Sequence, residues 1–112
     1  MAKSHRRGAA AERRIAHELG GARTGNTGKA APDVTAGLLV VEVKERATLP
    51  AWLKAAIGQA VTAAAGSEKI PLAILHEGGQ PYAQALVVLR LCDFQAWLGS
   101  ETSTESTAFD PK

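Results

Sequence analysis

Glycine and proline stops divide this chain more firmly than any other feature. Gly20-Gly21, Pro32, Ala36-Gly37, Pro50, Gly66 and Glu77-Gly78-Gly79-Gln80-Pro81 each interrupt regular structure. Only short helices and strands fit between them. No apolar run approaches the roughly 18 residues that span a bilayer. The pattern between stops alternates. A helical period covers Ala9–Leu19, and short extended runs cover Pro32–Thr35 and Leu38–Lys44. Thr48 or Leu49, followed by Pro50, opens a second helix that runs to about Ala65 and stops at Gly66. That helix is apolar around much of its circumference, so a central position is expected. Ile70–His76 and Tyr82–Leu91 read as partnered strands joined by the Glu77–Pro81 turn. Asp93 is placed to cap a last short helix carrying Phe94, Trp97 and Leu98. The expected order is α-β-β-β-α-β-β-α, an α/β domain with a mixed sheet flanked by helices.

The ends differ from this middle. Residues 1–8 read as a basic flexible arm, residues 9–98 as a single domain, and 99–112 as a disordered Ser/Thr/Glu-rich tail. A chain of 112 residues suits one domain. The basic start runs into Gly8-Ala-Ala-Ala-Glu12 rather than an apolar stretch, which argues against a secretory signal. The single Cys92 excludes a disulfide framework within the chain and fits a reducing, cytoplasmic compartment. Cys92 lies in an apolar stretch and is expected in the core. His5 and His17 lack neighbours at metal-ligand spacing and read as surface residues, and His76 reads as structural.

Charge is unevenly placed. Residues 1–46 hold nine basic groups against five acids, whereas residues 47–112 hold four against six. A net charge of +2 therefore hides a basic half that attracts polyanions. Arg6, Arg7, Arg13, Arg14, Arg23, Lys29 and Arg46 are the candidate phosphate contacts. Few aromatics lie among them, so backbone or shape recognition is expected rather than base stacking.

Two acids in this half stand out. Glu42 and Lys44 share one face of their strand, with Val41 and Val43 on the other. If residues 37 and 38 form a hairpin loop, Asp33 lies directly opposite Glu42. A four-residue loop keeps that parity, and an odd loop puts the acids on opposite faces. Juxtaposed carboxylates repel unless a cation lies between them. Such oxygen ligands suit magnesium or manganese, with water and a phosphate completing the shell. A lysine beside them could stabilise charge developing at phosphorus. Glu12 adds an oddity, an acid three residues before Ile15 on the apolar stripe of the first helix.

The ordered set resembles the PD-(D/E)xK nuclease superfamily, and within it the archaeal-type Holliday junction resolvases that also occur in phages. The resemblance rests on Gly8-Ala-Ala-Ala-Glu12-Arg13-Arg14, Gly28-Lys29-Ala-Ala-Pro32-Asp33-Val34, Gly37, Val41-Glu42-Val43-Lys44 and Gln59, over roughly residues 5–90. It implies a restriction-endonuclease-like fold and a structure-selective, Mg2+-dependent endonuclease of DNA recombination and repair, with Mn2+ able to substitute. Asp33 and Glu42 would then be metal ligands, with the Val43 carbonyl as a third. Lys44 would position or activate water, and Glu12 would orient a water or complete the outer shell. Gln59 either contacts the site from the second helix or is an ordinary helix glutamine. Thr24 and Thr27 stand where serine is expected in that family and offer weaker phosphate or catalytic support. Branched DNA is the implied partner. One site per chain implies a homodimer for paired cuts, with Leu86–Leu91 and the second helix as interface candidates. Neither a membrane nor a small-molecule cofactor is expected. Another nuclease of the superfamily, or a non-catalytic nucleic-acid-binding module on the same scaffold, are the alternatives.

Overall fold

The computed structural model describes residues 2–24 and 31–108, with side chains described over 8–24 and 31–99. Thr27 and Lys29 lie outside the described residues. The protein is of mixed α/β class, with three helices and two small antiparallel sheets. It divides into two compact units, Met1–Thr48 and Leu49–Lys112, and each is described by itself.

The first unit contains α1 (Ala2–Leu19), β1 (Ala22–Arg23), β2 (Val34–Ala36) and β3 (Leu39–Val41). Helix α1 starts at Ala2, earlier than the Ala9 expected from sequence, because nothing in residues 2–8 blocks a helix and Gly8 is tolerated within one. It ends at the expected glycine pair. The Gly20 N–H donates to the His17 carbonyl (3.2 Å) and the Gly21 N–H to the Ala16 carbonyl (2.8 Å). These are the two bonds of a Schellman stop.

Helix α1 packs on β1 and β2. Ala16, Val34 and Ala36 form the buried core of this unit. Gly21 sits where the chain leaves the helix and touches β2. A β-carbon there would collide with the Thr35 carbonyl oxygen and the Ala36 side chain. Gly21→Ala is therefore expected to destabilise the first unit by about 1–3 kcal/mol, an overpacking cost. Gly58→Ala, in open space on a helix of the second unit, should stabilise by about 0.5–1 kcal/mol. Denaturant midpoints of the two variants should move in opposite directions.

Strands β1, β2 and β3 pair antiparallel in that order. Ala36 faces Leu39, Thr35 faces Val40 and Val34 faces Val41, which leaves Gly37 and Leu38 as a two-residue loop. Gly37 has φ of 58° and Leu38 does not share the positive φ. That combination is the pattern of a type II′ turn, whose first position needs glycine.

The second unit contains α2 (Ala51–Ala64), β4 (Ala73–Leu75), a 3-10 turn (Tyr82–Gln84), β5 (Leu86–Val88) and α3 (Leu91–Ala108). Leu53, Ala56, Ile57, Ala60, Val61 and Ala64 form a half-buried stripe at helical spacing, and α2 packs on β4. No α2 residue is fully buried, so it does not have the central position expected. Trp52, in its first turn, stays exposed.

The mixed sheet expected from sequence is thus two antiparallel ones, of three and two strands. The described strands within each unit join antiparallel neighbours, and none enters a parallel ladder. The long strand expected over 82–91 is shortened by the 3-10 turn after Pro81 and by the start of α3 at Leu91.

Helix α3 continues to Ala108, where composition predicts a disordered tail, since neither proline nor a glycine pair interrupts it. Asp93 lies inside its first turn rather than at its cap. Its carboxylate accepts from Arg90 Nε at 2.7 Å, and this bond holds the guanidinium pKa above its ordinary value. Cys92, expected in the core, is exposed. Leu91, Asp93, Phe94 and Gln95 are the half-buried positions around it. No helix among the described residues is long and apolar enough to cross a membrane.

Candidate functional site

The two-residue loop settles the parity of the acids. Continuing the β2–β3 register by one residue sets Asp33 opposite Glu42. The pair falls at a position without ladder hydrogen bonds, where facing side chains approach most closely. Burial alternates along the strand as expected. Val41 and Val43 are half-buried, while Glu42 and Lys44 are exposed. Asp33 is half-buried. One face of the hairpin end thus carries Asp33, Glu42 and Lys44.

A third strand joins this row. The β1–β2 register places Ala22 against Thr35 and Arg23 against Val34. The Thr24 N–H extends it by donating to the Asp33 carbonyl at 2.9 Å. Thr24, Asp33 and Glu42 therefore lie in one cross-strand line. Sequence patterning leaves Arg23–Ala31 as a loop because a two-residue strand has no period to detect.

Pro32 gives the site its chemistry. The next rung of the ladder would pair residue 32 with Val43, but proline has no N–H to donate. The ladder stops there. Asp33 Oδ2 instead accepts the Val43 N–H at 2.7 Å, a charge-assisted bond that fixes the carboxylate. Pro32 also leaves the Val43 carbonyl without the donor that β2 would otherwise have offered. Two carboxylates and one backbone carbonyl are the donor set at this strand end.

That set fits a magnesium-type ion, which usually takes one or two carboxylates and leaves other positions to water and phosphate. Among the described residues, no group of three or more His, Cys, Asp or Glu side chains could hold a metal ion. Glu12 belongs elsewhere. Its Oε1 accepts from Arg23 Nε at 2.7 Å, and both side chains are half-buried. This ion pair accounts for an acid on the apolar stripe of α1 without any metal. It also engages Arg23, a candidate phosphate contact, inside the unit.

The other candidates are distributed as follows. Arg14 pairs with Glu18 one turn along α1 at 2.8 Å, an exposed contact weak enough to yield to a phosphate. Arg13 is exposed on the same helix, and Arg46 donates to the Glu45 carbonyl at 3.0 Å. Arg6 and Arg7 are in α1, where their side chains are not described. Gln59 is an exposed residue of α2 in the second unit. His76 is structural in its contacts, with Nε2 2.8 Å from the Gln80 carbonyl oxygen and its ring stacked on Tyr82.

Compared with models of protein families, curated proteins and solved structures, the chain matches none.

Proposed function

We propose that this protein is a metal-dependent endonuclease of the PD-(D/E)xK type, with a restriction-endonuclease-like arrangement of its elements. Its substrate is branched DNA, and its reaction is resolution of four-way Holliday junctions by a homodimer. The observation that supports this reading is the β2–β3 register, which ends at Val34 facing Val41. Continued by one rung, it would set Asp33 opposite Glu42, with Lys44 two residues on.

Asp33, Glu42 and the Val43 carbonyl would hold Mg2+, or Mn2+ in its place. The ion would supply Lewis-acid charge at the scissile phosphate. Lys44 would place a positive charge beside the phosphoryl oxygens as negative charge develops on them. The bond from Val43 keeps Asp33 oriented before substrate arrives, so no rotamer must be fixed on binding. Arg13, Arg14 and the basic residues at the start of α1 would neutralise phosphates, which makes affinity fall steeply with salt.

One observation supports a second reading, a non-catalytic nucleic-acid-binding module. Glu12 is engaged by Arg23, and among the described residues no group of three or more His, Cys, Asp or Glu side chains is placed to hold a metal. A substrate panel separates the two. A branch-immobile four-way junction, a flap, a fork and a linear duplex are incubated with the protein and Mg2+. Symmetric paired nicks in the junction are expected, with little cutting of duplex. Equal cutting of duplex would replace the resolvase by a general repair or restriction-like nuclease. Binding of the junction without cutting of any substrate would favour the module.

A further inference from the structure

The second unit holds a cleft of about 480 Å³ that the nuclease reading leaves without a role. The size falls in the usual range for small-ligand sites. Its apolar part is made by Leu75 and Leu86, which are cross-strand partners of β4 and β5. Trp52, in the first turn of α2, also lines it and keeps 62% of its surface exposed. An exposed ring beside Leu75 and the exposed Leu86 gives the cleft an apolar wall that a flat ligand could cover.

The polar lining is equally specific. His76 lines the cleft, and its ring is held in two ways. Its Nε2 lies 2.8 Å from the Gln80 carbonyl oxygen, and its plane stacks on Tyr82 with centroids 3.9 Å apart and an 11° tilt. The imidazole is therefore pre-set. Gln80 and Gln84 belong to the lining, and a glutamine amide can donate and accept at once. Glu77 is the sole carboxylate of the lining, and no lysine or arginine belongs to it.

These parts suit a flat, uncharged ring with donors and acceptors on its edge. They do not suit a phosphate, because the lining lacks a cation and the sequence from residue 47 onward has four basic groups against six acids. We infer that this cleft takes an unpaired nucleobase, stacked on Trp52 and contacted at its edge by Gln80 and Gln84. The inference rests on the DNA reading of the first unit and assigns the second unit a share in the same substrate. A four-way junction is fully paired, but stacking continuity is interrupted at its exchange point. A base of the pair beside the branch therefore leaves the stack at lower cost than one inside a continuous duplex. The aromatics missing from the basic half of the sequence would then act from the other half.

Fluorescence anisotropy with labelled four-way junctions tests this, using nucleotides beside the branch that are either intact or abasic. Wild type should bind the intact junction more tightly by roughly five- to a hundred-and-fiftyfold, the range for one stacked base. That ratio should survive raised salt while total affinity falls. Trp52→Ala should abolish the ratio and leave affinity for the abasic junction unchanged. Gln84→Ala, on the exposed 3-10 turn, is the second variant should Trp52→Ala fold poorly, and it should reduce the ratio. Equal affinity of wild type for both junctions, or an undiminished ratio in both variants, would overturn the inference.

A second readout separates the two readings. In a Trp97→Phe background, Trp52 is the single indole, and its fluorescence should be quenched by mononucleotides but not by ribose 5-phosphate. Quenching in a protein that binds no DNA would remove the nuclease reading and keep the base cleft. Junction cleavage without quenching would remove the cleft alone. Quenching by an aromatic amino-acid amide, with none by mononucleotides, would overturn the base in favour of a peptide.

Discussion

Glu42→Ala is expected to lower cleavage of a four-way junction by roughly a thousandfold or more, while junction affinity stays level or rises slightly. Removing a carboxylate ligand forfeits several kcal/mol of charge stabilisation in the transition state, and each 1.4 kcal/mol is about tenfold in rate. The side chain is exposed and makes no hydrogen bond or ion pair among the described residues, so its loss should leave the denaturation midpoint within about 0.5 kcal/mol of wild type. Affinity holds because the removed group is an anion beside a polyanion. Glu45→Ala is the matched control. It removes another exposed acid three residues further along, beyond the end of β3, and should cut as wild type does. Single-turnover nicking, with binding measured in calcium to suppress cutting, reads both quantities. An E42A protein cutting within about tenfold of wild type would remove Glu42 from the metal site.

The hairpin is the most legible part of the fold, and it is also the part that matters most to the site. Gly37 between two apolar runs limits the chain to a tight turn, and the period of two then assigns every side chain to a face. Sequence alone could not choose between an even and an odd loop, because Leu38 belongs equally well to a strand or a turn. The left-handed φ of Gly37 makes that choice. Helix α1 and its stop are legible for a similar reason, a strong local signal at Gly20-Gly21. What sequence could not supply is partnership. Glu12 is recognisable as an acid in the wrong place, but its relief by Arg23 depends on a strand of two residues with no pattern of its own. Trp52 reads as core because its helix is apolar almost all round, yet it keeps 62% of its surface exposed.

The charge asymmetry also takes a different form in the structure. The basic excess of the first half is partly internal, since Arg23 is engaged by Glu12 and Arg14 leans on Glu18. Asp33 and Glu42 would in turn be neutralised by a bound cation. On the proposed function, phosphate attraction would then fall to Arg13, to Arg46, to Arg14 once it leaves Glu18, and to the basic residues at the start of α1.

Asp33 carries two duties, and two substitutions separate them. Its Oδ2 ends the β2–β3 ladder by accepting from Val43, and its charge would hold the metal. The amide introduced by Asp33→Asn keeps an acceptor oxygen for that N–H but offers no anion, so the fold should lose at most about 1 kcal/mol. Cleavage should still fall by roughly a hundred- to a thousandfold, as expected for a lost anionic ligand. Asp33→Ala removes both the acceptor and the charge. It should destabilise by about 1.5–3 kcal/mol, the cost of losing a charge-assisted bond to a half-buried donor, and should be equally inactive. Denaturant midpoints and junction nicking, measured on the same preparations, therefore give different rank orders. Stability should fall in two steps, from wild type to the asparagine variant and then to the alanine variant, whereas activity should drop at the first step. If Asp33→Asn cut as wild type does, Asp33 would serve the backbone alone. Glu42 would then lack a second carboxylate to share a cation with.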